Sequence, residues 1–454
     1  MAQKDRVFHV SCLFDGADLF AADCAVCVRD GRIAGIVEKT KGEPGGGKLL
    51  RSFDGAEQIR LPRGFLLPGL VNAHHHAYSA LARGLEPAGP MPDFRSRLEN
   101  LWWRFDNVLD EEAIRLSAAV TALDCIRQGC TAVIDHHSSP SAIDGSLDRA
   151  AAGFGDLAMT RVLCYETSDR NGPEAVDQAI DENIAFAAKH AGSKEVGSLF
   201  GLHASFTLSG ATLKRIARDK PAGLGVHLHA AEDLCDVEHA RAENFDGPLA
   251  RLDSFGLLND GGIAAHCLHL APGEFALLSR RGLSIAHTVE SNLNNRVGYA
   301  DLDRFGEDRI LLGTDGFCSA MTAALRAAYL LYSGMGGGKR DALTLGRRLL
   351  FDNPAGFLSR LLGRPVGRVT VGEPADFAIF DYPSPTPVDE KNWVAHIVYG
   401  LSAAPGATWV YAGGKPVLEA GRITAVDEDA LLAEAGKLAA RLRDDYQKKP
   451  WRGV

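Results

Sequence analysis

Histidines and acids occur along the chain at spacings that suit a metal ion. On a strand, His74 and His76 lie on the same face, about 6.5 Å apart, although an isolated pair of this kind is as often two surface histidines. His229 and Asp315 follow much later, and imidazole and carboxylate groups are the usual ligands of zinc. Three histidines and one aspartate form a mononuclear site with a position left for water. We therefore predict one divalent ion bound by His74, His76, His229 and Asp315.

A site of this type predicts hydrolysis. A bound ion lowers the pKa of water from about 15.7 toward about 7, which makes hydroxide available at neutral pH. Glu232 lies three residues after His229, in the following turn, where a general acid/base would stand. Asp315 can bind the ion and also accept a proton. The end of the fourth predicted strand carries His203 and no lysine that could become a bridging carbamate, which favours one metal ion.

The strands that carry these groups follow the rhythm of a parallel α/β fold. From about residue 65, short apolar segments alternate with longer amphipathic ones, which is typical of βα units. Nearly every predicted strand ends in a histidine or an acid. The eight strands are predicted at 65–72, 131–135, 161–166, 197–203, 225–230, 263–268, 283–287 and 310–315. Eight strands predict a (β/α)₈ TIM barrel, in which the carboxyl ends of the strands form the active site.

Both chain ends have a different character from the central region. Short strands with tight turns fill the first 60 or so residues, and strand patterns return after residue 367. A charged amphipathic helix is predicted at 429–448. We predict a small β-sandwich domain built from residues 1–64 and 367–454, flanking a metal-dependent barrel at 65–366.

Composition excludes several classes of protein. The net charge of −9 disfavours nucleic acid and anionic lipid as partners. Because the chain has no apolar stretch of about 20 residues, and its first residues do not form the apolar core of a signal peptide, we expect neither a membrane span nor a secretory signal. Its 9 cysteines are scattered, and Cys24 and Cys27 fall on opposite faces of a predicted strand, which argues against a redox or metal pair. We expect a cytoplasmic protein that acts on a small molecule.

Four motifs resemble one enzyme superfamily. They are PGLVNAHHH (68–76), GVHLHAAED (225–233), AHC (265–267) and LGTDG (312–316). They are similar to the branch of the amidohydrolase superfamily that includes cytosine deaminase, chlorohydrolases and S-adenosylhomocysteine deaminase, and most similar to the SsnA group of aminohydrolases. The resemblance covers almost the whole chain. It is highly specific for the superfamily and says much less about the substrate.

The resemblance implies further roles. The ion would be zinc, with iron as the alternative, and Glu232 would carry a proton from water to a ring nitrogen and toward the leaving amine. His266 would hydrogen-bond the attacking hydroxide or polarise the reacting carbon, and His203 would contact the substrate. Homodimers or larger assemblies are common in this branch. Ser205, where the family often has proline, and the altered motif at 286–292 argue against transferring ring specificity.

Four other side chains are candidates for substrate binding, each with a structural alternative. Trp103 lines the pocket if Trp102 packs the helix onto the barrel. Of the two histidines that end strand two, we expect His137 to face the substrate. The other two candidates are Glu166, which binds an amine or forms a structural ion pair, and Asn292, which contacts a heterocycle or caps a loop.

Three functional hypotheses follow. The leading one is hydrolytic deamination of a nitrogen heterocycle of the purine, pterin or pyrimidine type. The second keeps the same site but releases chloride or an alkylamine, or opens a cyclic amide or carbamate. The third is an inactive scaffold barrel, against which the complete set of metal and proton-transfer residues argues.

Overall fold

The structure is a computed structural model that describes residues 4–38, 46–335 and 338–448. Its strands are β1 (Arg6–Phe14), β2 (Phe20–Arg29), β3 (Arg32–Glu38), β4 (Glu57–Pro68), β5 (Leu70–His75), β6 (Cys130–His137), β7 (Thr160–Tyr165), β8 (Val196–Ser198), β9 (Phe200–Ala204), β10 (Val226–Ala230), β11 (Ile263–His266), β12 (Ser284–His287), β13 (Ile310–Leu312), β14 (Phe377–Asp381), β15 (Ala407–Ala412), β16 (Lys415–Glu419) and β17 (Arg422–Ile423).

Helices connect and flank these strands, with short 3₁₀ and π turns between some of them. The α-helices are α1 (Gly46–Arg51), α2 (Phe94–Arg97), α3 (Trp103–Phe105), α4 (Glu111–Arg127), α5 (Ser146–Gly155), α6 (Pro173–Lys189), α7 (Gly210–Asp219), α8 (Leu234–Ala242), α9 (Pro248–Ser254), α10 (Pro272–Arg281), α11 (Val289–Asn295), α12 (Met321–Gly334), α13 (Ala342–Arg347), α14 (Asn353–Leu362), α15 (Trp393–Tyr399) and α16 (Glu428–Lys448).

The central strands form a parallel barrel. One sheet has the order β5-β6-β7-β8 and the other β13-β12-β11-β10-β9, with parallel pairing throughout. Parallel bridges join His75 to Asp315 and Thr167 to Leu202, where the two sheets meet. Because β8 and β9 are separated by Leu199 alone, they are two segments of one strand, which gives eight. The predicted (β/α)₈ barrel is confirmed.

Alternate residues along the barrel strands pack inward, as the pleat of a strand requires. Val71 and Ala73 of β5 belong to the same buried cluster as Ala132 and Ile134 of β6. The residue between the latter two, Val133, packs in the larger cluster that includes the helices. Apolar side chains therefore fill the lower barrel, and the polar groups lie toward the carboxyl ends of the strands.

Strands from both chain ends form a single eight-stranded sheet, in the order β17-β16-β15-β14-β4-β1-β2-β3. This confirms the predicted strand-rich domain. One boundary differs from the sequence prediction: residues 65–68 belong to β4 and pair with β14, so the first barrel strand begins at Leu70. The division at 64/65 and 366/367 stays a prediction, and the outermost residues of both terminal segments lie outside the described ranges.

A long connection follows the first barrel strand and carries one wall of the cavity described below. It runs from His76 to Asp110, where the Asp110 side chain accepts a hydrogen bond from the backbone of Ala113 and caps α4. Helix α16 packs against it through Leu438, Leu442 and Tyr446. Within the described ranges, every helix is too short or too polar to cross a lipid bilayer.

Candidate metal and active site

Three histidines at the carboxyl end of the barrel turn the same ring nitrogen toward one point. In each ring the Nδ1 atom is held by a neighbour, which orients the ring and leaves Nε2 to face the centre. The Nδ1 contacts are from His74 to Nε2 of His227 at 2.9 Å, from His76 to the carbonyl of His136 at 2.6 Å, and from His229 to the carbonyl of His203 at 2.9 Å.

The distances between these atoms suit a small cation. Nε2 of His76 lies 3.2 Å from Nε2 of His229 and 3.2 Å from Oδ1 of Asp315. The same Oδ1 atom lies 3.9 Å from Nε2 of His74. Ligand atoms about 2.0–2.1 Å from a tetrahedral zinc ion lie about 3.3 Å from one another. Nε2 of His74 is buried and has no hydrogen-bond partner among the described residues. The residues present therefore fit a metal ion.

The electrostatics of the centre also favour a cation. Burial, and then the neighbouring histidines, lower the pKa of His74 and His229 well below the usual range, so both rings are neutral. Burial alone would lower the pKa of His76, but hydrogen bonding to Asp315 raises it to about 9. Burial would raise the pKa of Asp315, yet hydrogen bonding to His76 holds it below the usual range. Positive charge is stabilised between these two groups.

The backbone holds Asp315 against the first strand. The N–H groups of Thr314 and Asp315 donate to the carbonyl of His74 at 3.1 and 2.9 Å. A Cβ on Gly313 would lie 2.8 Å from Cβ of His74, so this close approach requires glycine. Asp315 itself has a φ of +56°. Unusual backbone of this kind is often found at functional sites.

A proton-transfer pair adjoins the proposed ligands. Oε2 of Glu232 lies 3.4 Å from Nε2 of His266, and Oε1 accepts a hydrogen bond from Asn295 at 3.1 Å. Burial raises the pKa of Glu232, and the charge of Asp315 adds to this although His266 opposes it. A raised pKa suits a carboxylate that must both accept and release a proton.

A second acid lies on the other side of the centre. Oε1 of Glu166 accepts a hydrogen bond from Arg170 at 3.1 Å, and its Oε2 is 3.4 Å from Nδ1 of His136. Although burial would raise the pKa of Glu166, His203, His136 and Arg170 hold it below the usual range. Arg170 also donates to Asp106 at 2.6 Å. Glu166 therefore takes part in a buried ion network and also faces the cavity.

A cavity of about 540 Å³ opens over the centre. Glu166, His203 and Trp103 line it, and the ring of Trp103 lies 5.9 Å from that of His203. Burial lowers the pKa of His203 to about 4, so the ring is neutral. Trp102 lines the cavity as well, so the expected division of roles between the two tryptophans is not observed.

The structure places two predicted substrate contacts elsewhere. Nε2 of His137 contacts the Ser139 hydroxyl at 2.9 Å, and His137 does not line the cavity. Asn292 is buried behind His266, with its Oδ1 2.8 Å from Nδ1 of that ring, and therefore orients His266. Neither side chain lines the cavity, and their expected contact with the substrate stays a prediction.

Sequence reasoning missed two contributors. His136 lies near the centre in place of His137, because it shares a strand face with Ala132 and Ile134, and that alternation was a usable signal. Arg170 lies outside the strands, four residues after Glu166, and only the spacing of opposite charges pointed to it.

Comparisons with known proteins agree with this geometry. Residues 65–417 match the profile of the Amidohydrolase family. The chain belongs to the Amidohydrolase family. This amidohydrolase is 28% identical over 428 residues to 5-methylthioadenosine/S-adenosylhomocysteine deaminase of Desulforudis audaxviator. The matched region covers 92% of the chain and 94% of the relative. It is 30% identical over 411 residues to the deaminase of the same name from Pelotomaculum thermopropionicum, with 88% and 89% covered.

Solved structures share the fold. An adenosine deaminase from Xanthomonas campestris with bound zinc has a TM-score of 0.79 at 23% identity and covers 97% of this amidohydrolase and 99% of that chain. Atrazine chlorohydrolase from Arthrobacter aurescens, complexed with zinc, has a TM-score of 0.76 at 18% identity, with 96% and 100% covered. Family members are metal-dependent, and this chain is a hydrolytic enzyme of that family.

Proposed function

We propose that this amidohydrolase removes an exocyclic amino group from a nitrogen heterocycle by hydrolysis. One observation carries the proposal: the Glu232–His266 pair lies directly beside the cluster formed by His74, His76 and Asp315. The two curated relatives described above are named as deaminases, which supports the choice of leaving group.

His74, His76, His229 and Asp315 would hold one divalent ion. Three imidazole nitrogens and one carboxylate oxygen suit zinc, and iron is the alternative. A zinc-containing structural neighbour supports zinc. When bound, the ion acts as a Lewis acid that makes hydroxide available near neutral pH.

The protein's own groups would move the protons. Glu232 takes a proton from the attacking water and delivers it to the ring nitrogen beside the reacting carbon. His266 hydrogen-bonds the attacking oxygen, and Asp315 accepts the second proton. A C–O bond forms, the C–N bond breaks, and the second proton leaves with the amine as ammonia. The ring retains a carbonyl and an N–H, so atoms and charge balance.

The opposite side of the cavity would bind the substrate. Trp103 offers an aromatic face for stacking, and the neutral His203 offers a hydrogen-bonding edge. The ionised Glu166 accepts hydrogen bonds from N–H or O–H groups of the substrate, while Arg170 limits the cost of burying its charge.

An ammonia-release assay on a panel of purines, pterins and pyrimidines tests the function. We expect ammonia in a 1:1 ratio to the carbonyl product from at least one compound. Release of chloride or an alkylamine from substituted analogues, without ammonia from any amino-substituted ring, would favour a different leaving group. A metal-loaded protein that turns over none of these compounds would contradict the proposed substrate class.

We also propose a cytoplasmic location and a homodimeric or larger assembly. All 9 cysteines are free, and most of them are buried, which suits a reducing compartment. The assembly rests on the resemblance to the superfamily. Light scattering coupled to gel filtration measures its size, and a mass near the 48.6 kDa of one chain would exclude an oligomer.

A further inference from the structure

One arginine in the cavity wall has no counter-ion among the residues that the structure describes. Arg97 ends α2 in the long connection after the first barrel strand and lines the cavity. It makes no hydrogen bond or ion pair through its side chain within the described ranges, and its Nε atom is buried without a partner. The other arginines of this connection have partners: Arg83 with Asp124, Arg95 with Glu99, and Arg104 with the carbonyl of Tyr446.

Arg97 is half-buried among apolar side chains of the cavity wall. Phe94, Leu98 and Leu101 line the same wall and offer no hydrogen-bond acceptor from their side chains. A guanidinium group next to apolar surface loses part of its hydration, and an anionic partner offsets that cost. The unpaired charge therefore points to a ligand that supplies the partner.

The acids of the cavity are already engaged at its other end. Glu166 binds Arg170, Glu232 contacts His266 and Asn295, and Asp315 contacts His76. Since the net charge of the chain is −9, its overall field repels anions, and a negatively charged ligand requires a local cation. Arg97 provides one at the cavity wall.

We infer that the substrate carries an anionic group, a carboxylate or a phosphate, that pairs with Arg97 while the heterocycle lies over the proposed metal centre. The inference rests on the proposed function. It narrows the substrate class to acidic derivatives of nitrogen heterocycles.

Two matched pairs of compounds test the inference: adenosine with adenosine 5′-monophosphate, and pterin with pterin-6-carboxylate. We expect wild-type protein to prefer the charged member of one pair in kcat/KM, and the pair that responds distinguishes phosphate from carboxylate. Arg97→Met should lower kcat/KM for that compound about 10- to 100-fold, mainly through KM, because a hydrogen-bonded charge pair is lost. The neutral member should change by less than about twofold, and Arg97→Lys should restore part of the loss.

Arg95→Met is the matched control, since Arg95 belongs to the same short helix but pairs with Glu99. Equilibrium dialysis of the same four compounds gives a readout that does not depend on turnover. Equal affinity of wild-type protein for charged and neutral members, or an equal loss for both in Arg97→Met, would overturn the inference. If the protein binds a charged member preferentially but releases no ammonia from it, the proposed reaction is overturned and the inference about the anionic group is not.

Discussion

Single residues set the chemistry of this amidohydrolase through their hydrogen-bond partners. Each of the three proposed histidine ligands has its Nδ1 atom occupied, by a ring nitrogen of His227 or by a backbone carbonyl. This fixes Nε2 as the atom that faces the centre. Outer contacts of this type commonly change metal affinity by 10- to 100-fold when they are removed.

Glu232→Gln separates proton transfer from metal binding. Glutamine keeps the shape of the side chain but cannot accept the proton of the attacking water. We expect metal content near that of wild type and kcat lower by a factor on the order of 10² or more, measured by ammonia release and elemental analysis.

Glu238→Gln is the control for this variant, because Glu238 is an exposed acid on the nearby helix α8. It should leave kcat unchanged. Normal turnover in Glu232→Gln would eliminate Glu232 as the proton carrier.

The structure brings the predicted metal ligands together more completely than the predicted substrate contacts. Ligand candidates were recognisable because their types and strand-end positions are restrictive. Successive side chains of a strand point to opposite faces, so either His136 or His137 faces the centre of the barrel. An error of one residue in the alternation of the strand exchanges the two. The contact of Asn292 with His266 could not be predicted, because the two residues lie 26 positions apart in the chain and meet only in the folded barrel.

Elements position these residues through close backbone contacts. β13 ends just before Gly313, whose approach to His74 allows two backbone hydrogen bonds to reach the carbonyl of that residue. The backbone has positive φ at Ala231, which precedes Glu232, and at His266 and Asp315 themselves. The site therefore depends on strand packing as well as on its ligands.

Gly313→Ala tests this dependence. The added methyl group must displace the backbone of His74, so we expect a loss of stability of about 1–3 kcal/mol and a lower metal content. Thermal unfolding and elemental analysis measure both. Gly436→Ala is the control, since a Cβ there meets no atom within 4 Å. Full metal content and unchanged stability in Gly313→Ala would show that the close approach is unimportant.

Tyr446→Phe tests the link between α16 and the cavity wall. The Tyr446 hydroxyl accepts from the backbone of Ala88 at 2.9 Å and donates to the carbonyl of Asn100 at 2.6 Å. Without these bonds the wall should loosen, so KM should rise several-fold while kcat and metal content stay near wild type.

Tyr399→Phe is the matched control, because the Tyr399 hydroxyl contacts that of Tyr329 on an exposed surface. It should not change KM. A fall in kcat or metal content in Tyr446→Phe, with KM unchanged, would contradict a role confined to the wall.

Element types were more predictable than their ends. Eight alternating strand and helix patterns sufficed for the barrel, because parallel strands and amphipathic helices have different periods. The start of the first barrel strand was not predictable in the same way. Residues 65–68 are apolar in either sheet, and only pairing with β14, more than 300 residues later, assigns them to the terminal sheet.

At the scale of the whole molecule, distant parts of the chain meet at one end of the barrel. Strands β5, β10 and β13 bring residues 74 to 315 to a common centre, and the long connection and α16 form a wall above it. The terminal sheet unites residues near both ends of the chain. We therefore propose that four side chains from three strand ends hold one ion.

Elemental analysis of purified protein tests this claim most directly. We predict about one zinc or iron ion per chain in the wild type. The variants His74→Ala, His229→Ala and Asp315→Ala should lose that ion. Circular dichroism should show that their helix content is unchanged. His239→Ala, on helix α8, should retain the ion. Wild-type ion content in all three ligand variants would contradict the claim.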